Sequence, residues 1–152
     1  MTDSKVKVLF RFFSDILEEW KVETMWADII NVDKGFYRLD NIPFYAPYLA
    51  SDDIVFAEYD ATEGMLTYRR TVEYSGNSTI HVVIMDEFTE INSICDIFKE
   101  FGCVSERLNK GYFAMGILAD INYQPIKEKL AELENKEIIS YAESCLSSQH
   151  QY

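Results

Sequence analysis

Hydrophobic and polar positions alternate with a period of two at the start of the chain. Val6, Val8, Phe10 and Phe12 are interleaved with Lys7, Leu9, Arg11 and Phe13, which predicts a first strand. The polar and acidic passage Ser14 to Lys21 reads as a loop with one helical turn, and Val22 to Ile30 as a second strand carrying Trp26. Asn31 to Gly35 has turn chemistry. Phe36 to Leu39 then resumes extended structure as a hairpin partner, and the segment IPFYAPYL, with two prolines, runs irregularly to a strand over Asp53 to Tyr59. Asp60 to Gly64 is a hairpin loop by composition. It leads into a long strand, Met65 to Tyr74, with Leu66, Tyr68, Val72 and Tyr74 on one side. The first half therefore predicts a small curled antiparallel β-sheet or partial barrel.

After SGNS, Ser75 to Ser78, the pattern changes. Thr79 to Met85 is a strand, and Glu90 to Phe101 places Ile91, Ile94, Cys95, Phe98 and Phe101 at helical spacing. Gly102 stands where helices end on a left-handed residue. Cys103 to Leu108 and Tyr112 to Ile121 read as strands joined by Asn109-Lys110-Gly111. Pro125 suits the first turn of a second helix with Ile126, Leu130 and Leu133 as its buried stripe, and Ile138 to Leu146 closes with a strand. The order βαββαβ is that of a ferredoxin-like unit. The expected class is α+β, with a β-rich lobe over 1–76, a ferredoxin-like lobe over 77–146 and a polar, frayed tail over 147–152.

Charge changes the functional picture more than any motif does. Twenty-six acidic residues against 14 basic give a formal net charge of -12 over 152 residues. Such a chain repels nucleic-acid phosphates and anionic membrane surfaces, so neither is an expected partner. An apolar fraction of 48% with 14% aromatic residues argues for a packed interior rather than disorder. Lys7 and Arg11 interrupt the apolar N-terminus, which leaves no secretory or membrane-spanning pattern and points to the cytoplasm. Cys95, Cys103 and Cys145 form an odd set without CxxC spacing and read as buried thiols.

In RLDNIPFYA, Arg38 to Ala46, Pro43 fixes its own φ and biases Ile42 toward extended geometry, while Leu39, Ile42 and Phe44 offer bulk for a core. Arg38 and Asp40 are left for water or for each other. Together with RRTVEYSGNSTIHV from Arg69 to Val82, YAESCL near the end and the run from Glu23-Thr24-Met25-Trp26-Ala27, this stretch resembles the bacterial "domain of unknown function 4265" family over most of the chain. The resemblance implies an architecture and brings no reaction, cofactor or substrate.

No residue pattern supplies catalytic machinery. His81 and His150 are the two histidines, too few for a histidine-rich metal site, and no metal or cofactor is expected. Ser75 to Ser78 could form an anion nest but falls far short of a phosphate loop, and reads better as a connection between lobes. Arg69 and Glu73 share a strand face and suggest an ion pair.

Two classes of function follow. The first is a non-enzymatic acidic module that docks a basic protein, in its concrete form an immunity protein that neutralises a basic toxin domain, because such charges steer association. Its expected contacts are Asp15, Glu18, Glu19, Asp28, Asp33, Asp52 and Asp53, with Trp20 or Tyr48 as aromatic anchors. The second is a sensor or enzyme with a small-ligand cleft between the lobes, lined by Arg38, Tyr45, Arg70 and His81.

Overall fold

The computed structural model describes residues 5–14 and 18–152, which form two compact units divided between Ser75 and Gly76. Both are built mainly from antiparallel strands. The class is mixed α+β.

In the first unit, β1 (Lys5–Ser14), β2 (Glu19–Asn31), β3 (Phe36–Leu39), β4 (Ile54–Asp60) and β5 (Met65–Glu73) pair in chain order. A parallel contact of β1 with β5, at Leu9 and Thr67, closes the barrel. Period-two alternation sends Val8, Phe10, Met25, Ala27, Tyr37, Leu39, Val55 and Ala57 inward, and the β3–β4 connection adds Ala46 and Leu49. Phe10 stacks on Tyr68 at 4.9 Å. The β2–β3 turn needs Gly35, whose φ is 74°, and a Cβ there would lie 2.8 Å from the Ala57 carbonyl oxygen.

Two expectations change here. Ser14 belongs to β1 and Glu19 to Lys21 belong to β2, so both strands run farther than expected into the Ser14 to Lys21 passage, of which residues 15–17 lie outside the described residues. The polar stretch lacked a core-facing alternation because this end of the hairpin is exposed on both faces. In β5, the register shifts against β4 between Ile54 and Val55 and between Phe56 and Ala57. Each shift reverses the inward phase. Between the two shifts the inward position passes to Thr71, so Val72 is exposed, whereas Leu66 and Tyr68 pack on the core; Tyr74 lies beyond the end of β5 and is exposed.

The second unit runs β6 (Ser78–Ile84), α1 (Ile91–Lys99), β7 (Val104–Asn109), β8 (Tyr112–Ile117), α2 (Gln124–Asn135) and β9 (Ile139–Cys145). Its sheet has the order β7-β8-β6-β9 with antiparallel neighbours. Ile91, Ile94, Cys95 and Phe98 of α1 and Ile126, Leu130 and Leu133 of α2 share a core with Ile80, Val82, Phe113, Met115 and Ile139. Gly102 has the left-handed φ expected after α1, 91°.

The tail is the main correction in this unit. His150 is 1% exposed, at the end of a 3-10 turn over Ser148–His150. Its Nε2 lies 3.1 Å from the Leu118 carbonyl and must donate there, which leaves Nδ1 to accept from the Ser78 hydroxyl at 2.6 Å. The Ser147 amide donates back to Ser78 Oγ at 2.9 Å. Composition suggested fraying because it does not show a polar side chain whose partners lie 72 positions away.

Beside this lock, Lys127 of α2 donates to the Tyr141 hydroxyl at 2.9 Å and lies 3.3 Å from Glu143, with its ammonium 4.6 Å from the Tyr152 ring centroid. Burial works against the Lys127 charge, but Tyr141, Tyr152 and Glu143 outweigh it and hold the group above its ordinary 10.5. Burial, reinforced by Glu143, pushes the Tyr123 phenol well above its usual range. Burial also opposes the Glu143 charge, yet hydrogen bonds from Tyr123, Tyr152 and Lys127 keep its carboxyl below the ordinary 4.5.

These directions set the pH response of the cluster. A lysine or tyrosine raised in the folded state contributes stability that is present below its unfolded value and lost as pH rises through the raised one. A depressed glutamate contributes stability present above its unfolded value and lost as pH falls. The cluster should therefore stabilise between about pH 5 and pH 10 and weaken on both sides, and Lys127→Met should flatten the alkaline limb of a urea-midpoint profile. His150→Ala should lower unfolding free energy by about 2–4 kcal/mol in the same assay, because it leaves a void at a buried position and takes the acceptor from the buried Ser78 hydroxyl.

Candidate functional site

The end of the β1–β2 hairpin carries exposed apolar surface at the expected contact Trp20. The pairs Arg11–Val22 and Phe13–Trp20 lie two positions apart in the register and so share a face. Phe13, Trp20 and Val22 are exposed, and the Phe13 and Trp20 rings meet edge-on at 5.7 Å. Trp20 remains 61% exposed. Exposed Glu18, with a left-handed φ of 54°, precedes the strand, and Glu19, paired with Lys21 at 2.8 Å, lies on the opposite face. Glu18, Glu19 and Trp20 are thus brought together, while Asp15 lies outside the described residues.

The other expected acidic contacts do not join them. Asp28 sits farther along β2 between Lys5, at 2.8 Å, and Arg38, at 3.2 Å, and the Lys5 ammonium leads in holding its carboxyl below the ordinary range. Asp33 is exposed in the turn beyond the opposite end of β2, up to roughly 40 Å of strand contour from Glu19. Tyr48 and Asp52 are exposed on the β3–β4 connection, each at positive φ. Asp53 is 1% exposed and is not presented to a partner.

Asp53 instead binds its own backbone. Its Oδ2 accepts the Ala50 amide at 3.0 Å and its Oδ1 the Ser75 amide at 2.9 Å. Burial nevertheless raises this carboxyl above its ordinary value, with the amides of Ser75 and Ala50 opposing. Glu23 does the same for the other half of the connection, accepting the amides of Phe44, Tyr45 and Ala46 at 2.7, 3.1 and 2.8 Å. Asn41 Oδ1 takes the Trp26 amide at 2.6 Å. Arg38 and Asp40 pair with Asp28 and Lys5 rather than with each other. The SGNS step is used likewise: Ser75 Oγ donates to Ser51 O, Asn77 Oδ1 accepts the Ala119 amide, and Ser78 holds His150. Glu23 and Asp53 were missed as organising residues because a carboxylate that caps a loop looks like a surface acid in sequence.

The residues assigned to a ligand cleft have local roles. Arg38 pairs with Asp28, Arg70 lies 5.2 Å from the Phe56 ring centroid, and Tyr45 is exposed while its amide binds Glu23. His81 lies on the sheet face away from the Ile80 and Val82 core positions, 5.9 Å from the Tyr112 ring. Arg69 pairs with Glu58 at 3.0 Å and Asp60 at 2.9 Å, so the expected partner Glu73 is replaced by residues across the β4–β5 ladder.

Burial pushes the Cys103 thiol up to about 12 and also raises Cys95, where Arg107 and Ser105 pull the other way. Among the described residues no cluster of three or more His, Cys, Asp and Glu could hold a metal, and no helix is long and apolar enough to cross a membrane.

If Glu23 organises the connection, Glu23→Ala should cost about 2–4 kcal/mol in urea unfolding, and Glu23→Gln about half of that, because an amide keeps one accepting oxygen but turns a donor toward other donors. Amide exchange at Phe44, Tyr45 and Ala46 should accelerate in both variants.

A structure described as a novel crystal structure of a hypothetical protein from Neisseria gonorrhoeae superposes with a TM-score of 0.83 and 25% identity, covering 97% of this chain and 99% of that one. No curated protein matches the chain. Residues 23–141, from the clamp residue Glu23 to Tyr141 of the lysine cluster, match the family model described as a domain of unknown function (DUF4265). The Glu23 and Asp53 clamps of the first unit lie within that span, whereas His150 and Glu143 lie beyond it, and the chain belongs to this family.

Proposed function

We propose that this chain is a non-enzymatic acidic protein-binding module that docks a basic partner through the end of the β1–β2 hairpin. The observation that carries the reading is the exposed Phe13–Trp20–Val22 face beside Glu18 and Glu19. Trp is enriched among residues that dominate binding energy, and a tryptophan already held by a neighbouring ring loses little freedom on docking. Exposed acids at this end of the hairpin and a net charge of -12 accelerate encounter with a cationic surface. A toxin domain that holds phosphates is one such surface, and in that form the module is an immunity protein that occludes it.

The test is capture with the full chain as bait, followed by a salt titration. Wild type should retain a basic protein that Trp20→Ala loses by about 10–100-fold in affinity, with the melting temperature nearly unchanged because Trp20 is already in water. The double variant Glu18→Lys, Glu19→Lys should slow association and reduce its salt dependence. Equal capture by wild type and Trp20→Ala, or a partner without net positive charge, would sink the reading.

A further inference from the structure

A cavity of about 320 Å³ opens in the second unit between α1 and β7. Cys95 and Lys99 stand four residues apart on α1 and therefore share a face, with Asp96 beside them. Cys103, Ser105 and Arg107 alternate along one side of β7 and its approach. The two buried thiols supply soft apolar walls, and Asp96, Lys99 and Arg107 are exposed around them.

Two features of this cavity bear on what it could hold. Ser105 Oγ is buried and has no hydrogen-bond partner, a nearby Cys95 sulfur being too weak an acceptor to satisfy it. Among the described residues neither Lys99 nor Arg107 forms an ion pair, although acids outnumber bases in the chain by 26 to 14. Arg107 acts on the same Cys95 thiol as Ser105 does, so the guanidinium and the orphan hydroxyl converge on one place.

We propose that this cavity binds a small organic monocarboxylate, with its head on Arg107 and Ser105 and its apolar body against Cys95 and Cys103. The guanidinium fork matches a planar carboxylate, and the serine hydroxyl gains the partner it lacks. The carboxylate of Asp96 leaves the site a net single positive charge against Lys99 and Arg107, which suits a monoanion better than a phosphate dianion. The volume stands at the small end of ligand pockets, which restricts the body to a ring or a short chain.

The full chain would be titrated by calorimetry with sodium benzoate and sodium hexanoate, with benzamide and inorganic phosphate as controls, while amide shifts are followed. The expected result is saturable carboxylate binding at millimolar probe, with shifts centred on residues 95–107. Arg107→Gln should weaken it by about 10–100-fold, Ser105→Ala by several-fold, and added salt should weaken it in wild type. Lys99→Gln, a change on the exposed helix face, gives a second charge variant independent of the strand. The idea is overturned by no carboxylate binding, by benzamide binding as well as benzoate, by phosphate binding more tightly than either carboxylate, by shifts elsewhere, or by a folded Arg107→Gln protein with undiminished affinity.

Discussion

An irregular connection cannot lie against a barrel unless its backbone amides find acceptors, and here two carboxylates provide them. The segment between Asp40 and Asp53 places Ala46 and Leu49 in the core, which removes water from much of the surrounding main chain. Glu23 takes three amides from its first half, and Asp53 takes one from its second half and one from Ser75 at the end of the unit. A backbone amide left dry costs about 1–3 kcal/mol. These few bonds thus determine whether the connection can fill the barrel at all, and with it where β3 ends and β4 begins.

The electrostatic cost of that arrangement is visible at Asp53. Its raised carboxyl means that the folded state holds the proton more tightly than the unfolded chain does, so its contribution favours folding on the acid side and fades as pH rises through the raised value. Glu143 behaves oppositely, because Tyr123, Tyr152 and Lys127 overcompensate its burial. A buried and a partly buried acid of the same chain therefore respond to pH in opposite senses, and the difference lies in depth and partners: deep burial with neutral amides for one, an ammonium and phenols for the other.

Much of the polar chemistry that attracts notice in the sequence is spent on such internal work. The family motifs around Glu23, RLDNIPFYA and SGNS bind backbone and a buried histidine. Ion pairs such as Lys5 with Asp28 and Arg69 with Asp60 lie on exposed surface, where each contributes little to stability. Against that background, an exposed aromatic pair and a cavity lined by a buried hydroxyl without a partner are departures, and each is local to one unit.

Periodicity along the chain determined the nine strands and two α-helices of the described residues closely, because burial of one face dictates spacing of two or 3.6 wherever a core is present. Turn chemistry placed a turn over Asn31 to Gly35 and a left-handed helix end at Gly102, and periodicity placed the apolar stripes of both helices, while the alternation in β1 and β6 mapped onto the two cores. Where strands leave the core, as at Glu19 to Lys21, or slip register, as at Val72, that signal vanished. The functions of single polar residues were decided only by tertiary contacts. Whether an aspartate is a surface charge or a loop clamp, and whether a terminal histidine frays or locks onto Ser78, depends on which distant groups fold around it, and no local pattern encodes that neighbourhood.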